Sequence, residues 1–360
     1  MHRIPVRLDH SAYSIIVGPD LLSHLEEHLK RARLNGPFLI VSQPRIFKAV
    51  GQDLKKRFPV VLIPDGERAK NLRTVSRLLD RVAAIGMTRQ STLIALGGGV
   101  VGDITGFVAS LYMRGIAVVQ VPTTLLAQVD SSIGGKTGVN FRSVKNLVGT
   151  FHQPSLVLSD PLPLQSLSER EYASGLYESL KYGVISDRAL FDSFVRHIDL
   201  LRKRDPRSVE NLVARCAEIK AGIVSADERE GDLRRVLNLG HTVGHALESA
   251  ANFKRLKHGE AVGYGMIAAS RISTALGRMS RTDSERVESA VRCIGELPSL
   301  EGTRMTPLIK ALQQDKKVRD GAVHFILPRE IGRVEITPDV PLPLVRETVT
   351  ALIHESKTRR

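Results

Sequence analysis

The chain has 360 residues, of which 42% are hydrophobic and 25% are charged, a balance typical of a globular protein with room for two domains. This composition argues against a disordered or fibrous chain, and two cysteines are too few for a disulfide framework. The net charge of +14 alone would favour nucleic acid, but with 4% aromatic residues and no Trp we expect no nucleic-acid partner and assign the cations to an anionic, phosphorylated substrate.

The first residues lack the apolar core of a signal peptide, and no apolar run approaches the roughly 18 residues of a membrane span. We therefore expect a cytoplasmic protein with no membrane partner. Residues 4–17 predict two short strands, and a helix ending near Asn35 precedes buried strands at 37–42 and 60–63. The turn signal Pro64-Asp65-Gly66-Glu67 closes the last of these.

A strand, a glycine turn and a helix follow each other in the next segment. Residues 72–85 predict a helix with an apolar stripe, formed by Leu78, Leu79, Val82 and Ile85. A strand at 92–96, the turn Gly97 to Asp103 and an apolar helix to about Leu111 come next. This order is typical of a parallel α/β sheet that is buried on both faces.

The glycine turn and the strand after it predict a nucleotide site. Without a Cβ, the backbone at Gly98 and Gly99 can approach a pyrophosphate, which the following helix N-terminus favours. The next strand, 117–121, ends in Pro122-Thr123-Thr124, at the sheet edge where ligands bind. Because the pattern is not G-x-G-x-x-G, a tight turn without a ligand stays an alternative.

Two lysines in small-residue sequence predict anion recognition. Gly135-Lys136-Thr137 lacks the spacing of a nucleoside triphosphatase P-loop, so we reject that function. Lys136 and Lys145, on loops relaxed by glycine and near Asp130, are instead typical of an anion site.

Near Pro161 the pattern changes from alternating strands and helices to long helical segments. These segments are 169–184, 187–202, 206–226, 240–251, 259–276 and 283–295, with short strand candidates at 322–327 and 332–336. We therefore predict an α/β, Rossmann-like domain over residues 1–160 and a mainly α-helical domain over residues 161–360.

Three histidines in the second part predict a metal site. His241 and His245 are four residues apart and share a helical face, and His258 follows within reach. Three ligands with one open position are typical of catalytic zinc. Ordinary core histidines remain the alternative. Glu178 and Lys181 also share a helical face. Either they form a surface ion pair, or Glu178 is the carboxylate of a His₂Glu zinc site.

Several motifs in one order together resemble the 3-dehydroquinate synthase family over almost the whole chain. They are Pro64-Asp65-Gly66-Glu67 with Lys70, Gly97 to Asp103, Arg114-Gly115, Val121 to Thr137, Lys145-Asn146 and Asn238-Leu239-Gly240-His241-Thr242. The resemblance implies the fold of the 3-dehydroquinate synthase family. It also implies that the protein is a carbon–oxygen lyase of the shikimate pathway, which leads to chorismate and the aromatic amino acids. Such an enzyme converts 3-deoxy-D-arabino-heptulosonate 7-phosphate (DAHP) to 3-dehydroquinate and phosphate by transient oxidation with NAD, elimination, re-reduction and aldol closure.

The resemblance also implies roles for individual residues. The implied ligands of zinc, or of cobalt in its place, are Glu178, His241 and His258, whereas His245 becomes a proton-transfer residue. The implied NAD contacts are Asp65, Gly66, Glu67, Lys70, Gly98, Gly99, Asp103, Thr123, Thr124, Lys136 and Lys145. The implied substrate contacts are Arg114, Asp130, Lys136, Asn146, Lys181, Lys220, Arg234, Asn238, His245, His258 and Lys316. The implied catalytic residues are His245, Glu230 and Lys136, and a homodimer is implied as well.

A few positions depart from the family pattern, and other readings stay open. Tyr177 and Ser179 flank the implied zinc carboxylate where smaller or aliphatic residues are usual, and Arg235 stands beside Arg234 in place of a small residue. Lys317 is an alternative to Lys316. The alternatives in function are another sugar-phosphate cyclase such as a 2-deoxy-scyllo-inosose synthase, a metal-dependent polyol dehydrogenase, and a non-enzymatic metal- or nucleic-acid-binding protein.

Overall fold

A computed structural model describes residues 1–142, 144–250, 255–316 and 323–358, without the side chains of residues 313–316 and 358. The chain forms two compact units, one of Met1–Ser168 with Pro206–Arg229 and one of Glu169–Asp205 with Glu230–Arg360. Among the described residues, no helix combines the length and the apolar character needed to cross a lipid bilayer.

The elements are named in chain order. The strands are β1 (His2–Arg7), β2 (Ala12–Val17), β3 (Phe38–Ser42), β4 (Val60–Leu62), β5 (Thr92–Gly97), β6 (Ala117–Pro122), β7 (Lys136–Phe141), β8 (Val144–Phe151), β9 (Leu156–Ser159), β10 (Phe325–Glu330) and β11 (Arg333–Thr337). The helices are α1 (Leu25–Arg31), α2 (Pro44–Val50), α3 (Leu72–Ala84), α4 (Gly99–Leu111), α5 (Glu169–Ser186), α6 (Arg188–Arg196), α7 (Ile198–Arg202), α8 (Pro206–Ala226), α9 (His241–Ala250), α10 (His258–Ala275), α11 (Arg281–Ile294), α12 (Met305–Lys316) and α13 (Leu342–Thr358).

The first unit is built on a seven-stranded sheet of order β1-β2-β9-β6-β5-β3-β4. All neighbouring strands are parallel except β1 and β2, which form an antiparallel pair. After β4 the chain returns to the other side of β3 to form β5. This reversal of strand order places a crevice at the carboxyl ends of β3 and β5, the usual ligand position in such sheets.

Apolar side chains of alternate residues pack on opposite faces of this sheet. Leu39 and Leu93 join a cluster with α3 and α4, whereas Ile40 and Ile94 join a cluster with α1 and α2. Burial on both faces explains why these strands read as continuous apolar runs in the sequence. The predicted α/β fold of this part is therefore confirmed.

The second unit is mainly helical and is organised around α10. This helix packs against α5, α9, α11, α13 and the β10–β11 hairpin. Its residues are buried nearly throughout, because small residues such as Gly263, Ala268 and Ala269 let neighbouring helices approach on several sides. The predicted helical second part is confirmed as well.

Several local predictions are wrong. Ile85 follows α3 and is 45% exposed instead of continuing its apolar stripe, and Val60–Leu62 is a partly exposed edge strand. The predicted helix 187–202 is interrupted at His197. Lys136 and Lys145 lie not on loops but on the β7–β8 hairpin, which the sequence analysis did not predict.

The predicted division of the chain at residues 160 and 161 stays a prediction, and the compact units divide the chain elsewhere. Helix α8 belongs to the first unit because it packs against β1 and β2.

Candidate functional site

A buried carboxylate on α5 forms the floor of a histidine cluster in the second unit. Glu178 and Lys181 are 0% and 1% exposed, so the surface ion pair considered above is wrong. Lys181 Nζ lies 2.5 Å from Glu178 Oε2. The other oxygen, Oε1, lies 3.5 Å from His241 Nε2 and 3.3 Å from His258 Nε2. A buried charge pair of this kind is stable only when further polar groups face it, as the two imidazoles do here.

His241 begins α9, and its ring orientation is suited to metal binding. Nδ1 lies 3.1 Å from the carbonyl oxygen of Leu239, to which it can donate, so that Nε2 keeps its lone pair on the side of Glu178. Burial lowers the pKa of His241 well below its usual value, and the nearby Lys181 ammonium lowers it further. His241 is therefore neutral near pH 7, the form that binds a metal ion.

His258 begins α10 and lies between two buried carboxylates. Its Nε2 faces Glu178, and its Nδ1 lies 3.5 Å from Glu248 Oε2. Burial alone would lower the pKa of His258, but the hydrogen bonds to Glu178 and Glu248 outweigh it and raise the pKa to about 9. Without a metal ion His258 is therefore protonated near pH 7.

His245 completes the cluster on its exposed side. Its ring centroid is 5.2 Å from that of His241 and 5.7 Å from that of His258, and the three residues offer ligand atoms within 4.8 Å of one another. His245 is exposed, whereas His241 is buried. An exposed imidazole beside a possible metal site can exchange protons with a bound molecule or with water.

Two glycines allow the helices that carry these residues to approach closely. A Cβ on Gly259 would lie 2.0 Å from the carbonyl oxygen of Ser174 on α5. Gly240, with φ of +79°, precedes α9, and a Cβ there would lie 2.8 Å from the carbonyl oxygen of Val262. Only glycine fits such contacts, which bring α5, α9 and α10 together around Glu178.

In the first unit, the predicted nucleotide loop lies at the carboxyl ends of neighbouring parallel strands. Gly97 at the end of β5 pairs with Pro122 at the end of β6, and Thr123 N donates to Gly97 O over 3.0 Å. Gly98 caps α4, and a Cβ on it would be 3.1 Å from Thr124. The loop therefore presents backbone N–H groups at a helix N-terminus, a suitable site for a phosphate group.

A second group of predicted NAD residues lies in the turn after β4. Asp65, Gly66 and Glu67 are exposed, and Gly66 has φ of +81°. Lys70, by contrast, is 6% exposed. Its ammonium pairs with Asp103 on α4 and donates to Asn146 Oδ1 over 2.5 Å. Burial raises the pKa of Asp103, and the Lys70 ammonium opposes this shift.

The other predicted substrate residues of the first unit lie on several of its elements, and two of them are in contact. Lys220 on α8 is buried, and its Nζ donates to Asp130 Oδ1 and to the Asp130 carbonyl, both over 2.5 Å. Lys136 is exposed at the start of β7. Arg114 lies in an exposed turn with φ of +69°.

In the second unit, Arg234 is 2% exposed, and Asn238 Nδ2 donates to Glu230 Oε1 over 3.2 Å. Glu230 has φ of +59°. Lys316 ends α12, but its side chain and all of Lys317 lie outside the described residues.

Comparison with known sequences decides the family. Two family profiles match, 3-dehydroquinate synthase N-terminal over residues 60–174 and 3-dehydroquinate synthase C-terminal over residues 175–318. A 3-dehydroquinate synthase of Nostoc punctiforme is 44% identical over 97% of this chain and 99% of its own length. The chain belongs to the 3-dehydroquinate synthase family. It is therefore an enzyme, a carbon–oxygen lyase.

Solved structures of two other cyclases resemble this family member closely. ValA, a 2-epi-5-epi-valiolone synthase from Streptomyces hygroscopicus with NAD⁺ and Zn²⁺ bound, is 32% identical with a TM-score of 0.88, over 97% of this chain and 99% of that one. A 2-deoxy-scyllo-inosose synthase complexed with carbaglucose-6-phosphate, NAD⁺ and Co²⁺ is 26% identical with a TM-score of 0.86, over the same shares.

The structure also shows residues at the candidate sites that the sequence analysis did not identify. Glu248 contacts His258, and its spacing of seven residues from His241 on one helix could have indicated it. Gln43 follows β3 at the crevice, is 7% exposed and donates to the Pro64 carbonyl over 2.8 Å. Asn140 connects the Glu67–Lys70 turn to Asn146, a contact between distant segments that no local pattern indicates.

Proposed function

We propose that this enzyme forms 3-dehydroquinate and phosphate from DAHP with one divalent metal ion, zinc or cobalt, and with NAD regenerated in each turnover. The identity to a curated 3-dehydroquinate synthase supports the substrate. NAD⁺ with Zn²⁺ or Co²⁺ in two similar cyclase structures supports the cofactors.

The separation of the candidate ligand atoms carries the metal proposal. Zinc binds nitrogen and oxygen ligands at about 2.0–2.2 Å, so two ligands of a tetrahedral site are about 3.3–3.6 Å apart. Glu178 Oε1 lies 3.3 Å from His258 Nε2 and 3.5 Å from His241 Nε2. We therefore assign the metal to Glu178, His241 and His258.

The bound groups supply a Lewis acid and a hydride acceptor. In the second unit, the Lys181 ammonium lies 2.5 Å from Glu178 Oε2, where it balances the charge of that carboxylate. His245 is assigned to move a proton between a substrate hydroxyl and solvent, and Glu230 to accept a proton. Arg234 and Asn238 are assigned to the substrate, with Lys316 from α12.

The first unit is proposed to hold NAD and part of the substrate. The NAD assignment comprises Asp65, Gly66, Glu67, Lys70, Gly98, Gly99, Asp103, Thr123, Thr124, Lys136 and Lys145. Arg114, Asp130, Lys136, Asn146 and Lys220 are assigned to the substrate, where cationic groups neutralise phosphate and carboxylate.

The test is phosphate release from DAHP by metal-stripped protein with NAD, before and after zinc is added, with NADH absorbance followed throughout. We expect zinc-dependent release of one phosphate per 3-dehydroquinate and no net NADH. Net NADH would indicate a dehydrogenase. No release by protein shown to bind zinc and NAD would refute DAHP as the substrate and direct the assay to other cyclase substrates.

We also propose a cytoplasmic homodimer. Cys216 and Cys293 are both free thiols, as is usual in a reducing compartment. Light scattering coupled to size-exclusion chromatography tests the dimer, and a mass of one chain would refute it.

A further inference from the structure

Asn140 lies at an irregular point of the β7–β8 hairpin. The pairing register of the two strands shifts between Val139 and Phe141, so that Asn140 is left out of the regular ladder. At this interruption, side-chain hydrogen bonds replace the backbone hydrogen bonds of the ladder. Asn146 N donates to Asn140 Oδ1 over 2.9 Å, and Asn140 Nδ2 donates to Glu67 Oε1 over 2.8 Å.

The same residue is also fixed through its backbone. Asn140 N donates to the carbonyl oxygen of Lys70 over 2.9 Å. Asn140 therefore contacts both ends of the Glu67–Lys70 turn and the opposite strand at once. Its amide uses one donor and one acceptor in opposite directions, which an apolar residue could not do.

Asn146 depends on this support because its backbone is in an uncommon conformation. Its φ is +54°, which is unfavourable for a residue with a Cβ. In this conformation its side chain accepts from Lys70 over 2.5 Å, and Lys70 is paired with Asp103. The hydrogen bond from Asn146 N to Asn140 holds the strained residue in place.

We propose that Asn140 is a positioning residue that joins the Glu67–Lys70 turn to Asn146, so that the NAD turn and a substrate-binding residue are ordered together. This inference rests on the proposed assignment of the turn to NAD and of Asn146 to the substrate. Since one side chain orders both segments, its loss weakens both binding events.

Two substitutions at Asn140 separate the two directions of its amide. Asn140→Ala removes both side-chain bonds, and we expect the Kd for NAD and the KM for DAHP each to rise about threefold to tenfold. Asn140→Asp keeps the acceptor for Asn146 N but sets a carboxylate against Glu67. For this variant we expect a raised Kd for NAD with a KM close to that of the parent.

A reversed pair supplies the decisive control. In Asn140→Asp/Glu67→Gln, the glutamine amide can donate to the new carboxylate, which restores the bond with opposite polarity. Adding Asn140→Asp to the Glu67→Gln variant should therefore reduce NAD affinity much less than adding Asn140→Asp to the parent protein does. Asn35→Ala, at an exposed position in a loop of the same unit, is the matched neutral control.

NAD affinity is measured by calorimetry on zinc-loaded protein, and KM is measured by phosphate release at saturating NAD. Equal effects of Asn140→Ala and Asn140→Asp on both constants, no effect of either, or no recovery in the reversed pair would overturn the inference. If Asn140→Ala does not fold, Asn140→Asp and the reversed pair still decide it. If the parent neither binds NAD nor releases phosphate, the proposed function itself has failed.

Discussion

At the residue scale, Glu248 is expected to set the orientation of a metal ligand. Its Oε2 lies 3.5 Å from His258 Nδ1, on the opposite side of the ring from Glu178, and it is 3% exposed. A carboxylate that accepts the second N–H of a ligating histidine commonly improves metal affinity about 10- to 100-fold. We therefore expect Glu248→Ala to weaken zinc binding by such a factor in competition with a chromophoric chelator.

Glu248→Gln keeps an acceptor for Nδ1, so it should weaken zinc binding less than Glu248→Ala does. The exposed Glu285 of the same unit, changed to Gln, serves as the control and should leave zinc binding unchanged. Equal zinc affinity for the parent and Glu248→Ala would refute this role.

His258 makes metal binding depend on pH. Its pKa is about 9 in the metal-free protein, against an ordinary value of 6.5, so a metal ion at Nε2 must displace a proton. At pH 7.5 we expect about one proton to be released per zinc, and zinc affinity to rise about tenfold per pH unit until it levels off near pH 9. Calorimetry in buffers of different ionisation enthalpy measures the released protons, and a pH-independent affinity would contradict the assignment.

The same shift has a consequence for stability. A pKa that is raised on folding contributes stability that is fully present below about pH 6.5 and is lost as the pH rises through about 9. The melting temperature of metal-free protein should therefore fall over this range.

At the scale of elements, close contact of α5 with α10 determines the distance from Glu178 to His258. A Cβ on Gly259 would lie 2.0 Å from the backbone oxygen of Ser174, so Gly259→Ala must push the two helices apart. We expect the free energy of unfolding to fall by about 1–3 kcal/mol. We expect the free energy of zinc binding to fall by much more than that. Chemical denaturation and chelator competition measure the two effects.

The matched control is Gly222→Ala on α8, where a Cβ would meet nothing within 4 Å. Helix propensity should make this variant about 0.5–1 kcal/mol more stable. Unchanged zinc affinity in Gly259→Ala would show that the contact does not position His258.

The elements that the sequence predicted are those with a strong apolar period. Residues 206–226 were predicted as one helix and form α8 as Pro206–Ala226, and the buried runs of β3, β5 and β6 were equally clear. The β7–β8 hairpin was missed because Gly138 and Gly149 interrupt its strands and much of β8 is exposed. Ile85 matched the period of α3 but lies beyond its end and is 45% exposed.

The candidate site was only partly predictable, because the burial of its residues depends on elements that are distant in sequence. Spacing on one helix indicated His241 and His245, and Glu178 with Lys181. Whether Glu178 is a surface residue or a buried one depends on α9 and α10, which lie more than 60 residues away along the chain. The sequence around Glu178 does not show which distant helices pack against it. The family resemblance supplied the ligand set, and the distances around Oε1 support it independently.

At the scale of the whole molecule, the two proposed cofactors should order different parts of the chain. The candidate metal ligands lie on α5, α9 and α10, which belong to the second unit. The candidate NAD residues lie in the turn after β4, at the start of α4, directly after β6 and on the β7–β8 hairpin, which belong to the first unit. A ligand stabilises the native state against the local opening of the segments that it contacts.

Hydrogen–deuterium exchange can therefore map each cofactor separately. Zinc added to metal-free protein should slow exchange in α9 and at the start of α10, and NAD should slow exchange at residues 65–70, 97–103 and 136–151. In Asn140→Ala at saturating NAD, protection should weaken at 144–148 more than at 97–103, because Asn140 contacts Asn146 directly and is linked to the glycine loop only through Lys70 and Asp103. Protection by NAD confined to the second unit would contradict the assignment of the first unit to the cofactor.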